Sequence, residues 1–139
     1  MLVVDTGVIF AVVDRDDGDH EACDELLGSH PARELLVPTP VIVESSWLIQ
    51  SRLGPKAEAA FLRSVNEGEL TRVDLEPDDW TRAVELVETY ADLGLGVVDA
   101  SVIAVAERRS ITTLATLNQR DFRVVRPRHV DAFELLPAF

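Results

Sequence analysis

Apolar and polar positions along the 139-residue chain switch repeatedly between the period of a strand and that of a helix. Leu2-Val3-Val4 is a β-branched run that stops at Asp5, the pattern of a strand buried on both faces. Val8 to Val13 stays apolar and predicts the first turns of a helix. The cluster Asp14-Arg15-Asp16-Asp17-Gly18-Asp19 predicts a loop, with Asp19 capping a short helix that ends near Gly28 and sets Ala22, Leu26 and Leu27 on one side. Leu35-Leu36-Val37 predicts a second strand. Thr39 then serves as N-cap and Pro40 as first helical residue. Val41, Ser45, Leu48 and Ile49 keep helical spacing, and Gly54 closes that helix after Leu53.

A third helix runs from about Lys56 to Glu67 and ends at Gly68, and Leu70 to Leu75 alternates as a strand does. Pro77 to Tyr90 predicts a fourth helix with Trp80, Ala83, Val84 and Val87 as its apolar stripe. Val98 to Arg108 predicts a fifth, with Val102 and Ala106 buried. Ile111–Leu114 and Phe122–Val125 predict the last two strands. Strands and helices alternating in this way give a three-layer α/β domain with a central, mostly parallel sheet flanked by helices. No repeat, linker or low-complexity stretch divides the chain, so residues 1–139 read as a single domain.

Composition narrows the setting. No apolar run approaches the roughly 20 residues of a membrane helix. Asp5 interrupts the N-terminal apolar run at once, which argues against a signal peptide. The single cysteine, Cys23, excludes an internal disulfide framework, suits a reducing cytoplasm, and reads as a small buried apolar residue. The formal net charge is −12, awkward for a protein that would bind a polyanion. Between Glu107 and Arg128, however, six arginines (Arg108, Arg109, Arg120, Arg123, Arg126, Arg128) face only two acids, Glu107 and Asp121. That stretch is either a solvated basic face or an edge that guides phosphate or a partner. Among these arginines, Arg108, Arg120 and Arg123 are the candidate RNA or partner contacts. His20, His30 and His129 lack metal-ligand spacing and read as surface residues.

Four acids stand apart from the solvated majority. Asp5 ends an apolar strand, where it either caps the next helix or faces the crevice at the sheet's C-terminal edge. Glu44 follows Pro40-Val-Ile-Val, one turn into a helix. It either complements the helix dipole or lies buried among its apolar flanks. Asp99 is the one charge between Asp92 and Glu107, at a helix start, as a cap or as a group projecting into a cleft. Asp121 follows a strand by a few residues and is a solvated loop acid unless the loop turns it inward. All four fall at strand ends or helix starts, positions able to converge. Carboxylates sharing a crevice raise one another's pKa. A hard divalent cation such as Mg²⁺ or Mn²⁺ relieves that repulsion, and it suits phosphodiester hydrolysis.

At these residues the chain resembles the PIN-domain family, and within it the VapC-type toxins. The resemblance rests on Val3-Val4-Asp5-Thr6-Gly7, on Glu44, on Val98-Asp99-Ala100, on Leu114-Ala-Thr116-Leu-Asn118-Gln-Arg-Asp121-Phe122 and on Arg123-Val-Val-Arg-Pro127, and it spans nearly the whole chain. It implies a parallel sheet flanked by helices, a homodimer, a cognate antitoxin and Mg²⁺- or Mn²⁺-dependent cleavage of RNA. By position it implies Asp5, Glu44, Asp99 and Asp121 as the acidic quartet, with Thr6 and Thr116 as organising hydroxyls. Many relatives carry an acid where this chain has Asn118; here Asp121 is taken as the fourth acid, with Asn118 bonding the loop backbone or a water of the metal. In the mechanism so implied, metal-activated water attacks in line and leaves a 5′-phosphate and a 3′-hydroxyl.

Three other functions compete. Asp5-Thr6-Gly7 is also the triplet of aspartic proteases, whose largely β architecture conflicts with the helical pattern from Pro40 to Arg109. A phosphoacceptor receiver domain needs a lysine near a late strand, and the one lysine here is Lys56. A PIN fold serving only as a binding scaffold would not need all four acids.

Overall fold

The computed structural model describes residues 1–139. Five strands form one sheet: β1 (Leu2–Val4), β2 (Leu35–Pro38), β3 (Thr71–Val73), β4 (Thr113–Ala115) and β5 (Glu134–Leu136). Their order is β3-β2-β1-β4-β5, and every pairing is parallel. Seven α-helices flank it: α1 (Thr6–Val13), α2 (His20–Gly28), α3 (Thr39–Leu53), α4 (Pro55–Asn66), α5 (Pro77–Thr89), α6 (Val97–Arg108) and α7 (Gln119–Val124). None is long and apolar enough to cross a membrane.

The three residues of β1 are all buried, as are the four of β2, as expected of parallel strands covered on both faces. α6 is the most deeply embedded helix. Every residue from Ala100 to Ala106 is buried, so an apolar surface surrounds the whole helix rather than one stripe. Asp99 is the third residue of that helix and the first charge the core meets at its N-terminal end.

The sheet order sets the place of the site. From β1 the chain moves to β2 and β3 on one side, then returns to pair β4 on the other side of β1. In open α/β sheets the crevice outside the strand C-termini at such a reversal is where ligands sit. Asp5 follows β1 directly and Thr116 follows β4 directly. The backbone N–H of Asp5 donates to Ala115 O at 2.9 Å, holding the two strand ends in step.

Several elements depart from the sequence expectation. Phe122–Val125 is not a strand. Gln119–Val124 is helical, with Gln119 and Phe122 buried and Arg123 and Val124 exposed, a spacing of three that no strand accommodates. The fifth strand is instead Glu134–Leu136, three residues at the sheet edge with one exposed and two half-buried side chains. On α5 the inward face is Asp79, Ala83 and Leu86, while Trp80, Val84 and Val87 are exposed. Asp79 is drawn inward by Arg108 of α6, whose Nε donates to its two oxygens at 3.1 and 3.0 Å. That rotation turns Trp80 out. On α2 the fully buried residue is Cys23, and Ala22 is exposed. Thr39 is the first residue of α3, not its cap. Its hydroxyl donates to Asp74 Oδ1 at 2.6 Å, tying α3 to the end of β3.

Candidate active site

Asp5 is the anchor of the site. It is the N-cap of α1 and only 6% exposed. The Thr6 N–H donates to Asp5 Oδ1 at 2.8 Å, and Thr116 Oγ1 donates to Asp5 Oδ2 at 3.0 Å. One carboxylate thus serves as helix cap and as clasp between β1 and β4. Each oxygen keeps a lone pair, since a carboxylate accepts about four hydrogen bonds. Burial pushes the Asp5 carboxyl above its ordinary range; the two hydrogen bonds pull the other way, and the Glu44 charge adds to the rise.

Asp99 lies at the third position of α6 and makes no capping bond, so the capping role is not its function. It is half-buried. Its carboxyl is pushed up to about 7, first by burial and then by the charges of Asp5, Glu44 and Asp121. Three acids from three other segments act on Asp99 through space, although they lie up to 94 residues away in sequence. Glu44 stands on α3 and Asp121 on α7. Glu44 is exposed rather than buried. The apolar residues that precede it turn away on the helix: Val41, Ile42 and Ser45 face the core, while Val43 and Glu44 face out.

The loop after β4 is built from its own backbone. Thr116 Oγ1 accepts from the Asn118 N–H at 3.0 Å while it donates to Asp5. Gln119, buried, donates through Nε2 to Thr116 O at 3.2 Å and to Pro137 O at 2.9 Å. With Phe122 at 1% exposure, these anchors fix α7 and place Asp121 toward Asp99. Sequence inspection did not single out Gln119; an amide two residues ahead of a site acid was its only signal. Asn118 is the N-cap of α7, but its side chain makes no capping bond.

Two buried hydroxyls beside the acids have no partner: Thr6 Oγ1 and Ser45 Oγ. Ser45 directly follows Glu44, and Thr6 directly follows Asp5. The histidines are committed elsewhere: His20 to Ala11 O, His30 to Leu26 O, and His129 to Ile111 O. All three are half-buried rather than surface residues. Arg108 is likewise withdrawn from the candidate contacts. It is bound to buried Asp79 and to Glu76, and it donates to Asp74 O.

The donors that face this cleft are oxygens, and they are hard. Nowhere in the chain do three acids, histidines or cysteines close on one point tightly enough to enclose an ion by direct ligation alone. Oxygen donors of this kind are the ones a hard cation such as Mg²⁺ takes.

Comparison with known proteins bears on the family and the fold. The model of the PIN domain family matches residues 2–126. Ribonuclease VapC26 of Mycobacterium tuberculosis is 30% identical over 136 residues, covering 98% of this chain and all of that protein. Among solved structures, M. tuberculosis VapC20, described as a Sarcin-Ricin loop cleaving toxin, superposes with a TM-score of 0.75 at 22% identity, over 82% of this chain and 87% of that one. DNA-bound VapBC from Salmonella typhimurium gives a TM-score of 0.71 at 16% identity, over 98% of both chains. The family model and the relative matched over its full length lead to one assignment: the chain belongs to the PIN-domain family, on its VapC branch.

Proposed function

We propose that this chain is an endoribonuclease that works with Mg²⁺ or Mn²⁺ and serves as the toxin of a toxin–antitoxin pair in the cytoplasm. The observation that carries this reading is the position of buried Asp5 at the end of β1, clasped to Thr116 at the end of β4, with Asp99 near enough to Asp5, Glu44 and Asp121 for their charges to add to burial in raising its carboxyl. A fold gains nothing in stability from such a cluster, so a bound cation is its natural complement. Asp5 and Asp99 hold the ion, Glu44 binds it or orients its water, and Asp121 supports it through water. Bound there, the ion supplies charge stabilisation at a phosphoryl group and lowers the pKa of an attacking water. The chain's own part is orientation. Thr116 and the Thr6 N–H fix the Asp5 carboxylate in one plane, and the Gln119 and Phe122 anchors hold Asp121 in place.

The relatives support the partners. VapBC2 of Rickettsia felis and the Klebsiella pneumoniae toxin–antitoxin complex are fold neighbours solved as assemblies. A chain of net charge −12 suits an antitoxin with a basic segment, one arginine of which pairs bidentately with site carboxylates. The exposed Trp47 of α3 and the exposed Trp80, Val84 and Val87 of α5 offer an apolar face that suits a second copy of the chain.

The test is cleavage of a labelled single-stranded RNA by purified protein. Activity disappears with EDTA, returns with Mg²⁺ or Mn²⁺, and is lost in Asp99→Asn with the fold intact. EDTA-insensitive cleavage, or full activity of that variant, overturns the reading.

A further inference from the structure

Of the six arginines between residues 108 and 128, two are held in ion pairs, Arg108 and Arg128, and four are exposed without one, Arg109, Arg120, Arg123 and Arg126. Arg108 closes on Asp79 at 2.9 Å and on Glu76 at 3.3 Å. Arg128 pairs with Glu85, and its backbone N–H donates to Glu107 Oε2 at 2.8 Å. Their charge is spent on the α5–α6 seam, beside the Arg82–Glu107 pair at 2.8 Å. Arg120 and Arg123 lie on α7 and differ from these. Both are exposed. Neither forms an ion pair, although the chain carries 25 acids against 13 bases. The one side-chain partner of Arg123 is the neutral Gln119 Oε1, at 3.3 Å.

α7 carries these cations on its solvent side. Gln119 and Phe122 face the core and Asp121 faces Asp99. Arg120 and Arg123 sit three residues apart, hence on one side of the helix with Cβ atoms roughly 5–6 Å apart. They flank Asp121 in sequence. Two unneutralised guanidiniums therefore stand one residue before and two residues after a site acid, in a protein whose net charge otherwise repels a polyanion.

We infer that Arg120 and Arg123 form a backbone clamp for single-stranded RNA, each holding a phosphate of the strand that runs past the acidic site. The inference rests on the ribonuclease reading above and names the residues that position its substrate. Guanidinium suits the task because its planar fork matches two phosphate oxygens at once. The clamp reads no base, so it contributes affinity and register without sequence preference. Arg109, exposed at the C-terminal end of α6, lies ten residues from Asp99, roughly 15 Å along the helix, and takes no part.

The experiment compares wild type, Arg120→Gln, Arg123→Gln, the double variant and Arg109→Gln on a labelled RNA oligonucleotide at saturating Mg²⁺ and several KCl concentrations. Each single α7 variant raises KM about tenfold, the scale of one charged hydrogen bond, with kcat within about twofold. Each also flattens the slope of log KM against log salt by about 0.7. Arg109→Gln matches wild type. Unchanged KM and salt slope in the double variant overturn the clamp while wild-type cleavage leaves the ribonuclease reading standing. Absence of wild-type cleavage removes both. If the double variant keeps its RNA kinetics but loses binding to polyglutamate, the arginines serve an acidic protein segment and the clamp is likewise overturned.

Discussion

Thr116 Oγ1 donates to Asp5 Oδ2 at 3.0 Å across 111 residues of chain, and the same oxygen accepts from the Asn118 N–H. One hydroxyl thus binds the ends of two central strands and starts the loop that delivers Asp121. Thr116→Val keeps the shape and removes both bonds. We expect it to lower stability by about 1–2 kcal/mol, the cost of a buried polar group left unpaired. It also raises the Mg²⁺ concentration at half-maximal activity, because Asp5 loses its fixed plane. Urea unfolding and a metal titration check the two effects, and Thr116→Ser restores both.

The Asp99 carboxyl gives a pH dependence of definite sign. Its folded pKa of about 7 lies above the ordinary 3.8, so the folded chain holds a proton that the unfolded chain has released throughout that interval. Metal-free stability therefore falls as pH rises from about 4 to about 7 and levels off above it. Asp99→Asn removes the penalty. Its melting temperature exceeds that of wild type at pH 8 and matches it near pH 4. Mg²⁺ at pH 8 raises the wild-type melting temperature more than that of the variant. Thermal scans in EDTA and in Mg²⁺ at the two pH values test this without any activity measurement.

Turnover separates Asp121 from Asn118. Asp99→Asn lowers kcat about a thousandfold, the loss of several kcal/mol of charge stabilisation. Asp121→Asn, acting on a group that supports the ion through water, lowers it about 10- to 100-fold. Asn118→Ala changes it less than about fivefold, since its side chain caps nothing. Single-turnover kinetics at saturating Mg²⁺ rank the three, and a dead Asn118→Ala beside an active Asp121→Asn reverses the roles.

Asp79 and Arg108 give a stability prediction remote from the chemistry. Asp79 is 3% exposed and closes a capping box at the start of α5, accepting from the Glu76 N–H at 2.9 Å. Arg108→Ala leaves that carboxylate buried without its cation and costs about 3–5 kcal/mol. Chemical denaturation measures the loss. The double variant Asp79→Asn with Arg108→Gln recovers much of it, because no uncompensated charge remains.

How far the sequence discloses all this depends on how local the deciding force is. Leu2–Val4 ending in Asp5, and the apolar length of α6, declare themselves because burial on both faces leaves an unbroken apolar run. Asp99 is legible as the lone charge in such a run. Phe122–Val125 misleads because two valines suggest a strand, whereas the buried pair Gln119 and Phe122 requires a helix. Trp80 misleads for another reason: a tryptophan outranks an aspartate in any hydropathy pattern, yet the Arg108 contact that turns Asp79 inward comes from 29 residues away. β5 has no signal of its own, since a three-residue edge strand is defined by its neighbour β4. The position of Glu44 at an exposed helical site follows from the phase of α3, which the flanking apolar residues do not reveal.

The sheet order has a consequence for how the protein comes into being on the ribosome. β1 is made first but sits in the middle, and its neighbour β4 is made more than a hundred residues later. Asp5 and Glu44 belong to the early half of the chain, Asp99 and Asp121 to the late half. Until Asp121 has been made, no intermediate holds all four acids, and until β4 is made one side of β1 has no strand to pair with. The quartet is therefore complete only once β4 and α7 have been made and have docked. The topology itself makes the assembled quartet a late product of synthesis.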